Sequence, residues 1–399
     1  MSMDSQVVLE ALSIAVSAGV PTLLWGSPGT GKTSAVVALA ESLNWPIEVV
    51  IGSIREPSDF AGLPVISDGA VRLAPPAWAQ RLVSAGHGLL FLDELTTAPP
   101  AVQAAMLRVV LERVVGDVRL PDKVHVVAAA NPPQEAADGW ELAPPLANRL
   151  VHLTWPVDGR QIARGLTMGF PRPPLSAFER PPTPEHTAAA RASVAAFLEV
   201  RPALALHVPN GAAPGQSRPG SNGQGSHELD GTTGGQPDQS VPRMDGAAAG
   251  LGWPSPRSWE AAARLIAACS AVEASPDVLA VLVAGAVGEG AALEFLSWRE
   301  HLDLPDPMTV LQNPDAFELP ARGDRAFAVL TSVVSVTVAA GDADLWQAAW
   351  RVIAKAARTT PDVATLAART LAAHRPAGAR IPEALLELAP ILRAAGLIA

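Results

Sequence analysis

Through the first 155 residues, short apolar runs alternate with stretches in which apolar positions recur about once per helical turn. The runs are TLLW (22–25), IEVVI (47–51), GLLFLD (88–93), HVVAAAN (125–131) and LVHLTW (150–155). Near-continuous runs of this kind suit strands covered on both faces, because each strand then buries side chains in both directions. Between them, 33–43 and 99–112 carry helical spacing. The second opens on Pro99 and Pro100 and places Val102, Met106, Val109 and Val110 at roughly one-turn intervals. The pattern predicts an α/β domain over residues 1–156 built on a five-stranded parallel sheet.

Beyond that point the period-2 and continuous runs stop. Periodic apolar positions from 157 to 200 and from 257 to 302 predict an all-α region, interrupted by a segment of different character at about 210–250, which contains NGAAPGQSRPGSNGQGSHELDGTTGGQPDQ. So few apolar residues cannot offset the entropy of ordering that segment, so a disordered insertion is expected there, either an inert spacer or a docking or regulatory tail. From about Ala321 the helical period returns, with ADLWQAAWRVIAKAA and PDVATLAARTLAAH as its most amphipathic pieces. Residues 157–302 thus form a helical second region and 303–399 a C-terminal helical region.

Composition sharpens this picture. With 399 residues, 49% of them hydrophobic, the chain can bury a substantial core. Its most membrane-like run, Val278 to Val287, lies between Asp277 and Glu289 and is far shorter than the ~20 residues that span a bilayer, so a buried helix is expected and no membrane partner. The first residues, MSMDSQVVLE, carry an acid where a secretion signal carries bases, which points to the cytoplasm. The single cysteine, Cys269, sits in the apolar context RLIAACSAV; this excludes an internal disulfide or a cysteine metal cluster and leaves it as a small core residue. The formal charge is -10, and lysine occurs only at 32, 123 and 355. No basic stripe is present to neutralise a polyanion, so nucleic acid is disfavoured as a partner. His87, His125 and His152 lie in or beside strands without metal-ligand spacing and are expected to be satisfied structural histidines.

The chemistry begins at WGSPGTGKTSA, residues 25–35. Gly26, Gly31, Lys32 and Thr33 satisfy G-x-x-x-x-G-K-[ST], directly after the strand TLLW and directly before a helix. Glycines at these points let backbone N–H groups turn inward around phosphate oxygens, so Gly26, Ser27, Pro28, Gly29, Thr30, Gly31, Lys32, Thr33 and Ser34 form a candidate phosphate cradle. Lys32 would reach the β and γ phosphates of ATP and the Thr33 hydroxyl would ligate Mg²⁺. A cradle alone fits a motor, a switch or a kinase. GLLFLDEL decides further, because an apolar strand ending in Asp93 and Glu94 supplies a second metal contact, Asp93, and a carboxylate, Glu94, able to polarise an attacking water. That pair suits water better than a substrate hydroxyl, and points to an ATPase rather than a small-molecule kinase.

Taken together, these residues resemble the AAA+ ATPases, and the chain is similar to the MoxR-type branch. REPSDFAGLPV (55–65) resembles the P-S-D-x-x-G segment that opens an extra insertion before the D-E strand. ELTTAPPAVQAAMLRVVLERVV (94–115) resembles the helix after that strand, ending in E-R before a small hairpin. HVVAAANPP resembles the strand that ends in a polar sensor, here Asn131. APPLANRLVHL resembles the segment bearing the arginine finger, here Arg149, although Asn148 stands where an acid usually precedes that arginine. WPSPRSWEAAARL resembles the S-P-R lid motif, which maps a second sensor to Arg257. The resemblance covers about residues 5–155 and 253–270. Asp59 and Phe60, in the insertion, are open to substrate contact or structural packing.

The resemblance implies a P-loop AAA+ core, an all-α lid and a chaperone-like ATPase whose hydrolysis activates, assembles or remodels a partner protein, in this branch one with a von Willebrand factor A domain. It also implies a homo-oligomeric ring, a hexamer, since Arg149 has to reach a neighbour's γ-phosphate. Whether Arg257 acts on its own subunit's nucleotide or a neighbour's stays open. The competing class is a nucleic-acid-directed ATPase or a nucleotide-dependent defence component on the same core.

Overall fold

The computed structural model describes residues 5–67, 69–132, 135, 139–207, 251–300, 305–383 and 385. Nine strands are formed among them: β1 (Thr22–Trp25), β2 (Ile47–Ile51), β3 (Leu63–Ser67), β4 (Ala70–Ala74), β5 (His87–Asp93), β6 (Val114–Val115), β7 (Val118–Arg119), β8 (Lys123–Ala130) and β9 (Val151–Thr154). Five of them make one sheet in the order β2-β5-β8-β1-β9, and every pairing in it is parallel. The other four form two antiparallel hairpins, β3–β4 and β6–β7. The expected α/β architecture with a five-stranded parallel sheet and helical C-terminal region is the one formed.

Both faces of the sheet are buried, which is why its strands read as continuous apolar runs. Leu24, Leu89, Phe91, Val127, Ala129, Val151 and Leu153 point to one side, where helices Ser5–Ser17 and Lys32–Ser42 cover them. Leu23, Trp25, Leu90, Leu92, Val126 and Ala128 point to the other, under helices Ala77–Ala85, Pro100–Glu112 and Pro144–Ala147. Phe60, from the segment before β3, is fully buried there against Trp78, and Asp59 accepts the Glu56 N–H; packing thus accounts for Phe60.

Proline and small polar residues set most later helix starts. Thr183, Ser255, Ser275 and Asp306 each accept a backbone N–H as N-cap with proline in the first turn of the helix that follows. Helices Pro256–Val272 and Pro276–Val287 share the core of the first sheet face, and with Pro184–Val200 and Glu289–Glu300 they enclose an aromatic group of Phe197, Trp259, Phe295 and Trp298. Helices Pro307–Gln312, Gly323–Ala340, Ala343–Ala357 and Pro361–Ala373 bury a core of their own around Trp346 and Trp350, and Gly323–Ala340 lies along Pro184–Val200. The insertion expected at about 210–250 lies outside the described residues. Among the described residues no helix is long and apolar enough to cross a membrane. Cys269 is buried, and burial pushes its thiol pKa up to about 12.

The histidines differ from one another. His152 accepts from Trp25 Nε1 at 2.8 Å through Nδ1 and donates from Nε2 to the Ala147 carbonyl at 2.9 Å; burial pushes its pKa down to about 4, so the ring is neutral. His87 Nδ1 lies 2.9 Å from the Ala85 carbonyl. His125 departs from the expectation of satisfied rings. It stacks on Trp45, but its Nδ1 is buried without a hydrogen-bond partner, and burial beside the Arg113 and Arg264 cations pushes its pKa down to about 4. Here an aromatic contact substitutes for a hydrogen bond, which spacing alone does not reveal.

Helix Pro276–Val287 crosses β9 closely enough that a Cβ on Gly285 would overlap the His152 carbonyl. Gly→Ala inside a helix ordinarily stabilises by about 0.5–1 kcal/mol. At Gly285 the expected sign is reversed: Gly285→Ala should lose roughly 1–3 kcal/mol through overpacking and lower the melting temperature. A melting temperature that rises in calorimetry would show that the helix does not seat on β9 in this way.

Candidate functional site

Because all five strands of the sheet are parallel, their carboxyl ends lie along one edge, the usual place for a ligand in an open α/β sheet. Register brings specific residues there. Ile51 pairs with Asp93, Leu92 with Ala128, Trp25 with Ala130 and Trp25 with Thr154, so the residues just past each strand end become neighbours. These are Ser53, Asp93 with Glu94, Asn131, Gly26 with the loop after it, and Trp155.

The loop from Gly26 to Gly31 turns tightly into helix Lys32–Ser42. Gly29 and Gly31 have φ of 74° and 93°, the left-handed region that glycine enters without a Cβ clash, and Gly31 caps the helix in that conformation. Thr30 Oγ1 donates to the Ser27 carbonyl at 2.8 Å, Trp155 Nε1 donates to the Thr30 carbonyl at 3.0 Å, and a Cβ on Gly26 would come within 2.9 Å of Trp155 Cβ. Pro28, Gly29 and Ser34 are exposed. Lys32, only 7% exposed, donates from Nζ to the carbonyls of Gly26 at 2.6 Å and Ser27 at 2.9 Å and to Asn131 Oδ1 at 3.2 Å. Burial lowers its pKa, opposed by the negative charges of Asp93 and Glu135.

Thr33 Oγ1 donates to Asp93 Oδ2 at 2.8 Å, which sets two hard oxygens side by side. Among the described residues there is no group of three or more His, Cys, Asp and Glu able to hold a metal. Mg²⁺ needs no such cage, because it keeps several waters and takes one or two protein oxygens together with substrate phosphates. The donor set therefore fits Mg²⁺.

Glu94 sits in a left-handed conformation, φ 55° and ψ 45°, which a non-glycine residue adopts at a cost of about 1–2 kcal/mol. Several bonds hold it there. Its N–H donates to Asp93 Oδ1 at 2.9 Å, its carbonyl accepts from Thr97 Oγ1 at 2.8 Å, and Ser53 Oγ donates to Glu94 Oε2 in a short contact. The turn directs the Glu94 side chain off the line of β5. Ser53 and Trp155 escaped the sequence reading because neither belongs to a glycine or acid motif; strand adjacency alone brings them to the site.

Arg149 and Arg257 lie elsewhere. Arg149 precedes β9, whose first residue, Val151, pairs with Thr22 at the start of β1. The phosphate loop follows the other end of β1. Four strand residues at ~3.3 Å each separate the two by at least about 13 Å, so Arg149 stands at the amino-terminal edge of the sheet. Asn148 Nδ2 donates to Ser255 Oγ at 2.8 Å, which ties this corner to the start of helix Pro256–Val272 and to exposed Arg257. Burial and the nearby Arg257 cation lower the pKa of Arg149, and Arg149 Nε and Asn148 Oδ1 are buried without hydrogen-bond partners. The structure thus groups Lys32, Thr33, Asp93, Glu94 and Asn131 at one edge and Arg149 with Arg257 at the other.

The parallel sheet, the phosphate loop after β1 and the acidic pair after β5 define an α/β P-loop AAA fold. Residues 21–150 match the family described as AAA domain, dynein-related subfamily, for which nucleotide binding and hydrolysis are the implied activities. The Psp operon transcriptional activator of Escherichia coli (strain K12) is 36% identical over 132 residues, 31% of this chain and 41% of that protein. Among solved structures, a candidate ATPase of Cytophaga hutchinsonii is 21% identical with a TM-score of 0.32, over 48% of this chain and 63% of that one. NtrX from Brucella abortus is 22% identical with a TM-score of 0.28, over 39% and 38%. The chain spans about two fifths of the curated relative it matches.

The Ser53 hydroxyl fixes where the Glu94 carboxylate points. With Glu94 as the group that serves the attacking water, Ser53→Ala should change the nucleotide turnover rate severalfold and leave nucleotide affinity within about two-fold. Steady-state turnover beside nucleotide titration checks this. A rate equal to that of the parent would show that the contact has no bearing on Glu94.

Proposed function

We propose that this protein is a MoxR-like AAA+ ATPase that couples ATP hydrolysis to remodelling, activation or assembly of a partner protein. The observation that carries the ATPase part is the meeting of Lys32, Thr33, Asp93, Glu94 and Asn131 at one sheet edge. In this reading the turned backbone of residues 26–31 and the start of helix Lys32–Ser42 receive the ATP phosphates. Lys32 exchanges its carbonyl contacts for the β and γ phosphates, and Asn131, already on Lys32 Nζ, orients the γ-phosphate or the water. Thr33 and Asp93 would hold Mg²⁺, which supplies charge neutralisation at the phosphates. Glu94 takes the proton of the attacking water, a role worth about 10²–10⁴ in rate.

Among the described residues Lys32 is the cation that lies on the phosphate loop, and Arg149 stands at the other end of the sheet. We assign Arg149 to the nucleotide of a neighbouring subunit, which calls for a closed ring, a hexamer in this reading. Arg257 follows it. The two cations repel each other and Arg149 Nε is a buried donor without an acceptor, an arrangement relieved by an incoming anion. The division into a core at 1–156, a lid at 157–302 and a C-terminal helical region at 303–399 belongs to the same proposal, as does a cytoplasmic location.

The MoxR branch is supported by the P-S-D-F-A-G segment leading into the β3–β4 hairpin and by the S-P-R start of helix Pro256–Val272. A von Willebrand factor A domain protein is the partner class that this likeness favours. One observation favours the rival, nucleic-acid-directed reading: the E. coli relative is named as a transcriptional activator. The charge of -10 weighs against it.

Two measurements test the proposal. Lys32→Ala should abolish nucleotide binding, Glu94→Gln should bind ATP and stall, and Arg149→Ala should bind ATP near normally while losing up to about 10³–10⁵ in turnover. Mixing Arg149→Ala with Glu94→Gln subunits should restore part of the activity, because some interfaces then pair an intact Arg149 with an intact Glu94. No recovery on mixing would remove the assignment across subunits.

The second measurement sets the two functional classes apart. Turnover should change little with single- or double-stranded DNA or RNA at low salt and clearly with a cognate protein partner, since a client acts only through differential affinity for the hydrolysing state. Severalfold stimulation by nucleic acid that collapses with added salt, absent in Lys32→Ala, would favour the rival.

A further inference from the structure

His152 lies within β9, is 8% exposed, and has no part in the chemistry assigned to the phosphate loop. A buried imidazole is costly to leave unpaired, and this one uses both nitrogens. Trp25 Nε1 donates to Nδ1 at 2.8 Å, with the two rings inclined by only 14°, and Nε2 lies 2.9 Å from the Ala147 carbonyl. An indole N–H only donates and a carbonyl only accepts, so the two partners fix a neutral ring with its proton on Nε2.

The groups around this ring belong to three segments that the functional reading joins. Trp25 ends β1, and Gly26 after it opens the phosphate loop. Ala147 ends the four-residue helix Pro144–Ala147, directly before Asn148 and Arg149. A helix that short has no stability of its own, so its place is set by what it touches. Gln103 Oε1 accepts the Ala143 N–H at its start at 3.0 Å, His152 holds its end, and Arg149 Nη1 donates to its Pro145 carbonyl. Gly252 passes the edge of the ring, where a Cβ would come within 3.3 Å of His152 Cδ2 and 2.9 Å of the Ala286 carbonyl. From there the chain runs through Trp253, whose carbonyl accepts from Ser258 Oγ at 2.8 Å, to Ser255 beside Asn148 and on to Arg257. Both arginines thus follow segments that rest on one imidazole.

We propose that His152 is a positioning residue for the arginine corner: oriented by Trp25, it donates to Ala147 and so fixes where Arg149 and Arg257 stand relative to the phosphate loop. It touches no nucleotide, and it acts only through the segments it holds. The inference rests on Arg149 serving hydrolysis.

The two amide replacements separate the two bonds. In His152→Gln the amide reaches the place of Nε2 and still donates to Ala147, whereas in His152→Asn it stops at the place of Nδ1 and keeps only Trp25. Each gives up one hydrogen bond, so a merely structural histidine would be hurt alike by both. With the full chain, ATP and Mg²⁺, His152→Asn should lower kcat about ten-fold while KM and mant-ADP affinity stay within about two-fold, since only the corner is misplaced. His152→Gln should keep kcat within about three-fold of the parent. Amide hydrogen exchange read by mass spectrometry should quicken at 147–150 in His152→Asn and not in His152→Gln. If His152→Asn does not fold, Trp25→Phe with His152→Leu removes both buried polar partners together and should show the same loss of kcat. Equal kcat and equal exchange in His152→Asn and His152→Gln overturn the proposal alone, with Arg149→Ala still slow. Faster exchange in His152→Asn at the parent's kcat overturns it too, and with Arg149→Ala at the parent's rate it is the role of Arg149 that has failed.

Discussion

The buried ammonium of Lys32 is the constraint on which the rest of the site depends. A cation this far from water has to be surrounded by acceptors or give up its charge. Three oxygens meet it, two from the loop that precedes its helix and one from Asn131 at the end of β8. The same bonds that solvate the lysine therefore close the phosphate loop and fasten it to the neighbouring strand. β1 and β8 have to end level with each other for this to work, and they do, with Trp25 opposite Ala130 and the Gly26 N–H on the Ala130 carbonyl. The loop is held in shape by that buried charge.

Strand direction then divides the labour between the two edges of the sheet. Parallel strands send every carboxyl end the same way, so one edge collects the loop, the acidic pair and Asn131, while the connection into β9 leaves Arg149 at the other. A single subunit cannot bring its two edges together, because the strands between them are rigid and pinned by buried side chains on both faces. Left-handed Glu94 belongs to the same economy of space: β5 stops at Asp93, whose carboxylate meets Thr33, while the turn at Glu94 carries its carboxylate to Ser53, and bonds from Asp93, Thr97 and Ser53 keep that turn.

The helical part of the chain is less independent of the sheet than its separate apolar rhythm implies. Helices Pro256–Val272 and Pro276–Val287 share one core with β1, β5, β8 and β9, and Gly285 lets the second of them approach the β9 backbone. Motion of those helices would be felt at β9 and, through Asn148 and Ser255, at the corner that holds Arg149 and Arg257. The C-terminal helices, with their own tryptophan-centred core, join the rest along helix Pro184–Val200.

Local physics made much of this legible beforehand. Runs apolar in both directions specified buried parallel strands. Pro99 and Pro100 marked the start of the helix Pro100–Glu112, and the glycines of residues 26–31 marked a turn around that loop. The residues of the phosphate loop and the acidic pair at 93 and 94 are contiguous in the chain, so sequence alone marked them. What it could not mark were groups that meet only through strand order. Ser53 reaches Glu94 because β2 lies beside β5, Trp155 braces Thr30 because β9 lies beside β1, and His125 Nδ1 is buried without a partner where Trp45 stacks on the ring. Nor did helical spacing reveal that Ile162, Leu166 and Phe170 would stay exposed, since an amphipathic period states that a face is apolar and not what covers it. Sequence determined which segments become strands, turns and helix starts, because those follow from backbone sterics and local burial; the tertiary structure decided which of their ends meet, because that is set by pairing between segments far apart in the chain.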